Sequence, residues 1–219
     1  MNKLLVSDII NLDNGSYDLD IQNKEVNITI DGDVTIYLIN QIINKLNIEL
    51  LDNSSLNIYK YNQNKDYDLE ININQKNNST LNYNEAYLND NDNKLIINNN
   101  INGNNNKSII NIRNISNNNE SNIIINVNIK KDTINNIALE DLKGITSGGF
   151  IHIEPNIICE SNEVEANHLT TIGNIDERLL NYLMSKNISL DNAKKLILKG
   201  FIYSNMDEFI KNKVEVNNE

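Results

Sequence analysis

Residues 155–201 read PNIICESNEVEANHLTTIGNIDERLLNYLMSKNISLDNAKKLILKGF, and the texture of the chain changes inside this stretch. Up to Gly173 the residues alternate with period two. Val164, Ala166 and His168 share one parity, and Glu163, Glu165 and Asn167 share the other. Such alternation belongs to strands. After Gly173 the pattern is helical: Asn174 stands as an N-cap, Asp176 and Glu177 fill the first turn, and Leu179, Leu180 and Leu183 follow. Ser189 caps a second helix, with Asp191 in its first turn and Ala193, Leu196 and Ile197 behind. Lys194, Lys195 and Lys199 lie towards its C-terminus, where the helix dipole favours cations, and Gly200 sits at the expected stop. A third short helix is expected over about residues 206–213. The stretch therefore predicts a β body followed by a small helical tail, with His168 at the junction.

Working towards the N-terminus, the same alternation runs back to about residue 20. Val26, Ile28 and Ile30 alternate with Asn27 and Thr29, and Ile123, Ile125, Val127 and Ile129 repeat the pattern later. Strand centres recur near Ile58, Leu69, Leu81, Ile96, Ile110, Ile125, Leu139 and Ile151. Short strands at such regular spacing suggest a sandwich, a barrel or a solenoid. Asn-rich tips lie between them, as at residues 98–106 and 117–119. Asn tolerates left-handed backbone and caps its own turns, so it can replace Gly at corners, and the chain has only 8 Gly. Asn amides also both donate and accept, so they can stack in ladders along a β-helix. Composition thus leans towards a solenoid. Residues 37–51 fit either a helical face (Leu38, Ile42, Ile43, Leu46) or strands, and remain open at this level.

Composition narrows the function. A little over a fifth of the 219 residues are Asn, interrupted by apolar residues at every second position, which favours order over a disordered polar tract. Net charge is −11, with no basic footprint for phosphates and no attraction to an anionic membrane surface. The apolar run in MNKLLVSDIINLDNGS is too short for a signal peptide, and no stretch approaches transmembrane length, so a cytoplasmic protein is expected. Cys159 is the single cysteine, which excludes an internal disulfide.

Pro155, the alternating strand, His168 with Leu169-Thr170-Thr171 after it, Gly173, the helix containing Tyr182-Leu183, and the closing Gly200-Phe201 form an ordered pattern. This pattern resembles the C-terminal core signature of the SufB/SufD family of iron–sulfur cluster assembly proteins. The resemblance implies a mainly β fold: a right-handed parallel β-helix over 1–173 with a C-terminal helical segment over 174–219. It implies a component of the SUF-type assembly complex with no turnover of its own, ATP hydrolysis belonging to a partner. The implied partners are a SufC-like ABC-type ATPase and a SufB-like paralogue or a second copy of the chain. His168 would lie where two β-helical subunits meet, as an iron or cluster ligand or an interface residue, and the cluster held there would be transient. The ATPase would dock on the tail helices, for which Leu179, Leu183, Leu196, Ile197, Phe201 and Phe209 are suited. Three departures are visible. Ala166 stands where many relatives have Cys just before the His, Leu183 where scaffold-type members carry Cys, and the segment between Gly149 and Pro155 is short. They bring the chain closer to a SufD-like accessory or a reduced variant, which needs a second subunit to complete a site.

Other readings of the same residues stay open. His168 on an apolar parity is either a ligand or a packed core imidazole. Cys159, after Ile157 and Ile158, is most simply a buried small hydrophobe, although thiolates are the natural cluster ligands. His152, opposite in parity to Ile151 and Ile153, is expected to face solvent, and Gly148-Gly149 to form a corner rather than a phosphate loop. The tail helices could equally cap the open end of a solenoid. In that case the chain is a β-solenoid binding or structural module with no cluster role. Polysaccharide hydrolysis is the weakest reading, since no carboxylate pair stands out.

Overall fold

A computed structural model describes residues 2–63, 67–89 and 91–216; the outermost ends of the expected segments, residue 1 and residues 217–219, lie outside the described residues. The body is a parallel β-solenoid in which the chain steps alternately between two sheets. The first eight strands are β1 (Asn2–Val6), β2 (Ile9–Leu12), β3 (Gly15–Ile21), β4 (Glu25–Ile30), β5 (Asp33–Ile39), β6 (Lys45–Leu50), β7 (Ser55–Gln63) and β8 (Tyr67–Gln75). They continue as β9 (Thr80–Asn89), β10 (Asn93–Ile101), β11 (Lys107–Asn117), β12 (Glu120–Ile129), β13 (Ile134–Ser147), β14 (Phe150–Cys159) and β15 (Glu163–Gly173). Odd strands form an 8-stranded sheet in the order β1-β3-β5-β7-β9-β11-β13-β15, and even strands a 7-stranded sheet from β2 to β14. The chain over 37–51 proves to be parts of β5 and β6, in keeping with its β-branched content.

In-register stacking places like residues in columns. Val26, Leu46, Ile71, Ile97 and Ile125 pair in succession across the 7-stranded sheet and point into the lumen, all fully buried. Each such side chain contributes about 1.5–3 kcal/mol of transfer free energy. On the outer face of the same sheet Asn27, Asn47, Asn72, Asn98, Asn126 and Asn156 form an amide ladder with N···O distances of 2.8–3.1 Å. The corners carry a second ladder: Asn53, Asn78, Asn105 and Asn135 adopt φ of +56° to +62° and bond amide to amide. Gly148, at φ +80°, turns the chain from β13 into β14.

Three helices follow among the described residues: α1 (Glu177–Ser185), α2 (Leu190–Tyr203) and α3 (Glu208–Val216). Asp176, not Asn174, is the N-cap of α1, because its carboxylate accepts from the Arg178 and Leu179 amides. Ser189 caps α2 as expected, but the helix runs past Gly200 to Tyr203. The helices do not cap the solenoid. Ile202, Met206, Ile210 and Val214 pack on its flank, against outward residues Tyr37, Tyr61, Ala86 and Ile115 of the 8-stranded sheet. Polar contacts fix the seat: Tyr37 donates to Asp207 at 2.6 Å, Arg113 Nε to Ser204 at 3.1 Å, and Lys213 pairs with Asp18 at 2.5 Å. No described helix is long and apolar enough to cross a membrane.

Candidate functional site at the open end of the solenoid

One lumen column of the 8-stranded sheet decides the site. It runs Tyr17, Ile36, Ile58, Tyr83, Ile110, Glu140 and His168. Its first five members are buried, and the column turns polar only in its last two rungs. His168 thus has the lumen-facing parity expected from Val164 and Ala166. It is nevertheless exposed, because β15 is the last strand of its sheet and no described rung covers it. The packed-core reading of this histidine therefore fails for lack of a further coil.

Glu140, paired in register with His168, is the residue that sequence reasoning missed. It is 4% exposed, and neither carboxylate oxygen has a hydrogen-bond partner among the described residues. Burial raises its pKa to about 7. A buried carboxyl without a partner is costly and asks for an explanation. A signal was present: Glu140 lies between Ala138 and Leu142 on the apolar parity of β13, where alternation calls for a hydrophobe. Neighbouring strands are about 4.8 Å apart, so the two side chains rise from adjacent backbones on the same face.

The opposite wall of the opening belongs to β14. Ile153, Pro155 and Ile157 are half-buried lumen residues, and Cys159 follows at the strand's end. Cys159 is exposed rather than packed, and its thiol donates to the Ser161 carbonyl at 3.1 Å. The reason is again the missing coil, since its partner Ile129, one rung deeper, is buried. His152 lies on the outer face, half exposed, with Nε2 3.7 Å from Glu154. Among the described residues no three His, Cys, Asp or Glu side chains converge. The open end thus presents an imidazole and a carboxyl on neighbouring rungs of one column, with Ala166, Thr170 and Ile172 on the same face of β15 as His168.

The tail residues separate into two groups. Leu179 and Leu196 are exposed and Leu183 half-buried, beside exposed Tyr182 and Met184. Phe201 and Phe209 pack against the flank cluster, Phe209 with its ring centroid 4.5 Å from that of Tyr37, and Ile197 is half-buried. The apolar face open to a partner is therefore narrower than the six positions suggested by the sequence.

Residues 40–201, from the end of β5 into α2, match the family described as SUF system FeS cluster assembly, SufBD core domain. No curated protein matches the chain.

Proposed function

Because the chain belongs to the SufBD core family of SUF iron–sulfur cluster assembly proteins, we propose that it is a β-solenoid assembly subunit whose open end holds iron or a nascent cluster as cargo. The observation that carries this reading is the pairing of exposed His168 with buried Glu140, which has no hydrogen-bond partner among the described residues, on the last two rungs. Imidazole and carboxylate both suit ferrous iron. Two donors leave coordination positions free, so a second subunit, a SufB-like paralogue or another copy, completes the site. Its open end would meet this one and supply thiolates that Ala166 and Leu183 do not. His168 is placed as a ligand from the rim. Glu140, deprotonated on metal entry, is placed as the deeper one; metal binding releases that proton.

The chain performs no turnover in this reading. A SufC-like ABC-type ATPase docks on the face formed by Leu179, Leu183 and Leu196, with Ile197 beneath it, and leaves Phe201 and Phe209 to hold the tail on the flank. Removing the whole tail would bare Tyr37, Tyr61 and Ile115, so point changes give the cleaner test. The experiment is an anaerobic co-purification of the chain with its ATPase partner and iron. Capture that is lost in Leu179→Glu/Leu196→Glu, together with iron retention lost in His168→Ala and Glu140→Gln, supports the reading. Capture or iron retention indifferent to these changes refutes the corresponding half of it.

A further inference from the structure

An asparagine loses ammonia when the next backbone nitrogen attacks its side-chain Cγ. Glycine in the next position, having no Cβ, hinders that attack least. The chain contains two such pairs, Asn14-Gly15 and Asn102-Gly103. They are alike in sequence and differ in surroundings. Asn14 is held: its Oδ1 accepts from the Asp33 amide at 2.7 Å, its carboxamide lies against Gly32, and Gly15 is tied into β3 opposite Val34. Asn102 is exposed in the corner after β10, and its Nδ2 makes one long contact, 3.4 Å to the Asn100 carbonyl. Among the described residues the Gly103 N–H has no acceptor. A backbone donor without a protein acceptor turns to solvent, where base can take its proton. Gly103 itself is required by packing, since a Cβ there would stand 2.6 Å from the Asn77 nitrogen and 2.7 Å from the Lys76 carbonyl carbon. Charges along the same column point the same way. One residue past the paired Gln75, Ile101 and Ile129 stand Lys76, Asn102 and Lys130, all exposed, with Glu160 following on the next rung. Rungs about 4.8 Å apart place Asn102 between two lysines, of which Lys76 also pairs with Glu49 at 2.8 Å. Cations on either side favour both the anion that attacks and the carboxylate that results.

We propose that Asn102 is a self-modification site of the folded chain, converting by deamidation to aspartate and isoaspartate. Hydroxide takes the Gly103 N–H proton, and the nitrogen bonds to Asn102 Cγ. The Cγ–Nδ2 bond then breaks and Nδ2 leaves as ammonia, which closes a five-membered imide. Water adds to one of the two imide carbonyls and reopens the ring. Opening at one carbonyl gives aspartate; opening at the other routes the backbone through the side chain and gives isoaspartate. Solvent is the only co-reactant, and nothing is oxidised or reduced. An acid at 102 makes the column alternate in charge from Lys76 to Glu160. The isoaspartate form lengthens the backbone by one carbon at a tightly tied corner. There the amides of Asn104, Asn105 and Asn106 donate to Asn77 Oδ1, the Ile134 carbonyl and Asn136 Oδ1 at 2.9–3.0 Å, so that corner must shift.

The test ages the full folded chain in mildly alkaline buffer made with heavy-oxygen water. Peptide mass spectrometry then locates each amide-to-acid exchange, and the oxygen label separates new conversion from any that preceded the incubation. Asn102 should convert at least about fivefold faster than Asn14, the factor that one net hydrogen bond holding Asn14 is worth. In concentrated urea the two pairs should convert at similar rates, because only the fold distinguishes them. Asn102→Gln, whose longer side chain disfavours the five-membered ring, should remove most of the acidic species that isoelectric focusing resolves in the aged parent. Side-chain exposure at 102 makes this variant a change of chemistry rather than of folding. Equal rates at the two pairs in the folded chain, or Asn14 leading, would overturn the proposal. So would an undiminished acidic species in aged Asn102→Gln, which would move the conversion to other asparagines.

Discussion

At the scale of single residues the polar groups in the lumen set the chemistry and the pH response. Glu140 titrates near 7 rather than at an ordinary 4.5, because burial penalises its charged form. Between those values the folded chain keeps a proton that the unfolded chain releases, so stability falls as pH rises through the window and levels off above it. The group paired with it on β15 is His168, and Ile110 lies on the other side. Glu140→Gln should therefore match the parent in urea unfolding near pH 4.5 and exceed it at pH 8, by up to about 3 kcal/mol; an equal pH dependence in both would contradict this origin. A second buried group behaves differently. Lys60 and Glu85 are both fully buried and 2.8 Å apart, and Glu85 also accepts from the Tyr83 hydroxyl. Lys60→Met leaves a buried carboxylate without its cation and should cost about 3–5 kcal/mol, most of it recovered in Lys60→Met/Glu85→Leu. Urea denaturation of the two variants checks this. His168 was visible in the sequence because its parity and neighbours were local. The exposure of both His168 and Cys159 was not, because it depends on where the stack of coils ends.

At the scale of elements the sequence was most informative about strands. The centres near Ile58, Leu69, Leu81, Ile96, Ile110, Ile125, Leu139 and Ile151 all fall inside β7 to β14, since lumen burial imposes strict alternation on every coil. The corners were also legible. Among the described residues, seven of the eight non-glycine positions with positive φ are Asn, at 40, 53, 78, 105, 118, 135 and 187, as the scarcity of Gly implied. Asn105 donates to Asn78 at 2.9 Å and accepts from Asn135 at 3.1 Å, so it serves both the turn and the ladder. Asn105→Ala should cost about 1–2 kcal/mol for the left-handed conformation alone. Asn105→Gly keeps the conformation and loses only the ladder bonds, so its melting temperature should fall less. Helix ends were harder to read. Gly200 lies inside α2 because Phe201 and Ile202 pack on the flank, which outweighs the roughly 1 kcal/mol that an interior Gly costs. The resting place of the tail was hidden altogether. It is set by contacts such as Tyr37 with Asp207, 170 residues apart, which no local pattern announces.

At the scale of the whole molecule the solenoid has an open end at β14 and β15 among the described residues. The tail is committed to the flank of the solenoid, and among the described residues β15 presents an unpaired backbone edge beside lumen residues with no covering rung. Leu169 and Ile172 are 54% and 43% exposed there. Bare strand edges invite pairing with another chain. On the proposed reading a second open end, from a paralogue or another copy, would cover this edge and would bring the ligands that His168 and Glu140 alone do not supply. Two copies of a chain with net charge −11 repel one another, whereas burial of the terminal rungs attracts them. Salt screens the first term and leaves the second, so self-association should strengthen between about 50 and 300 mM ionic strength. Ile172→Asp, which places a charge on the lumen face of the last rung, should abolish it at any salt concentration. Lys94→Glu, on the outer face of β10, should behave like the parent. Sedimentation velocity of the three proteins decides the matter. Association that weakens with salt, or survives in Ile172→Asp, would locate the contact elsewhere and remove the second subunit from the proposed site at His168 and Glu140.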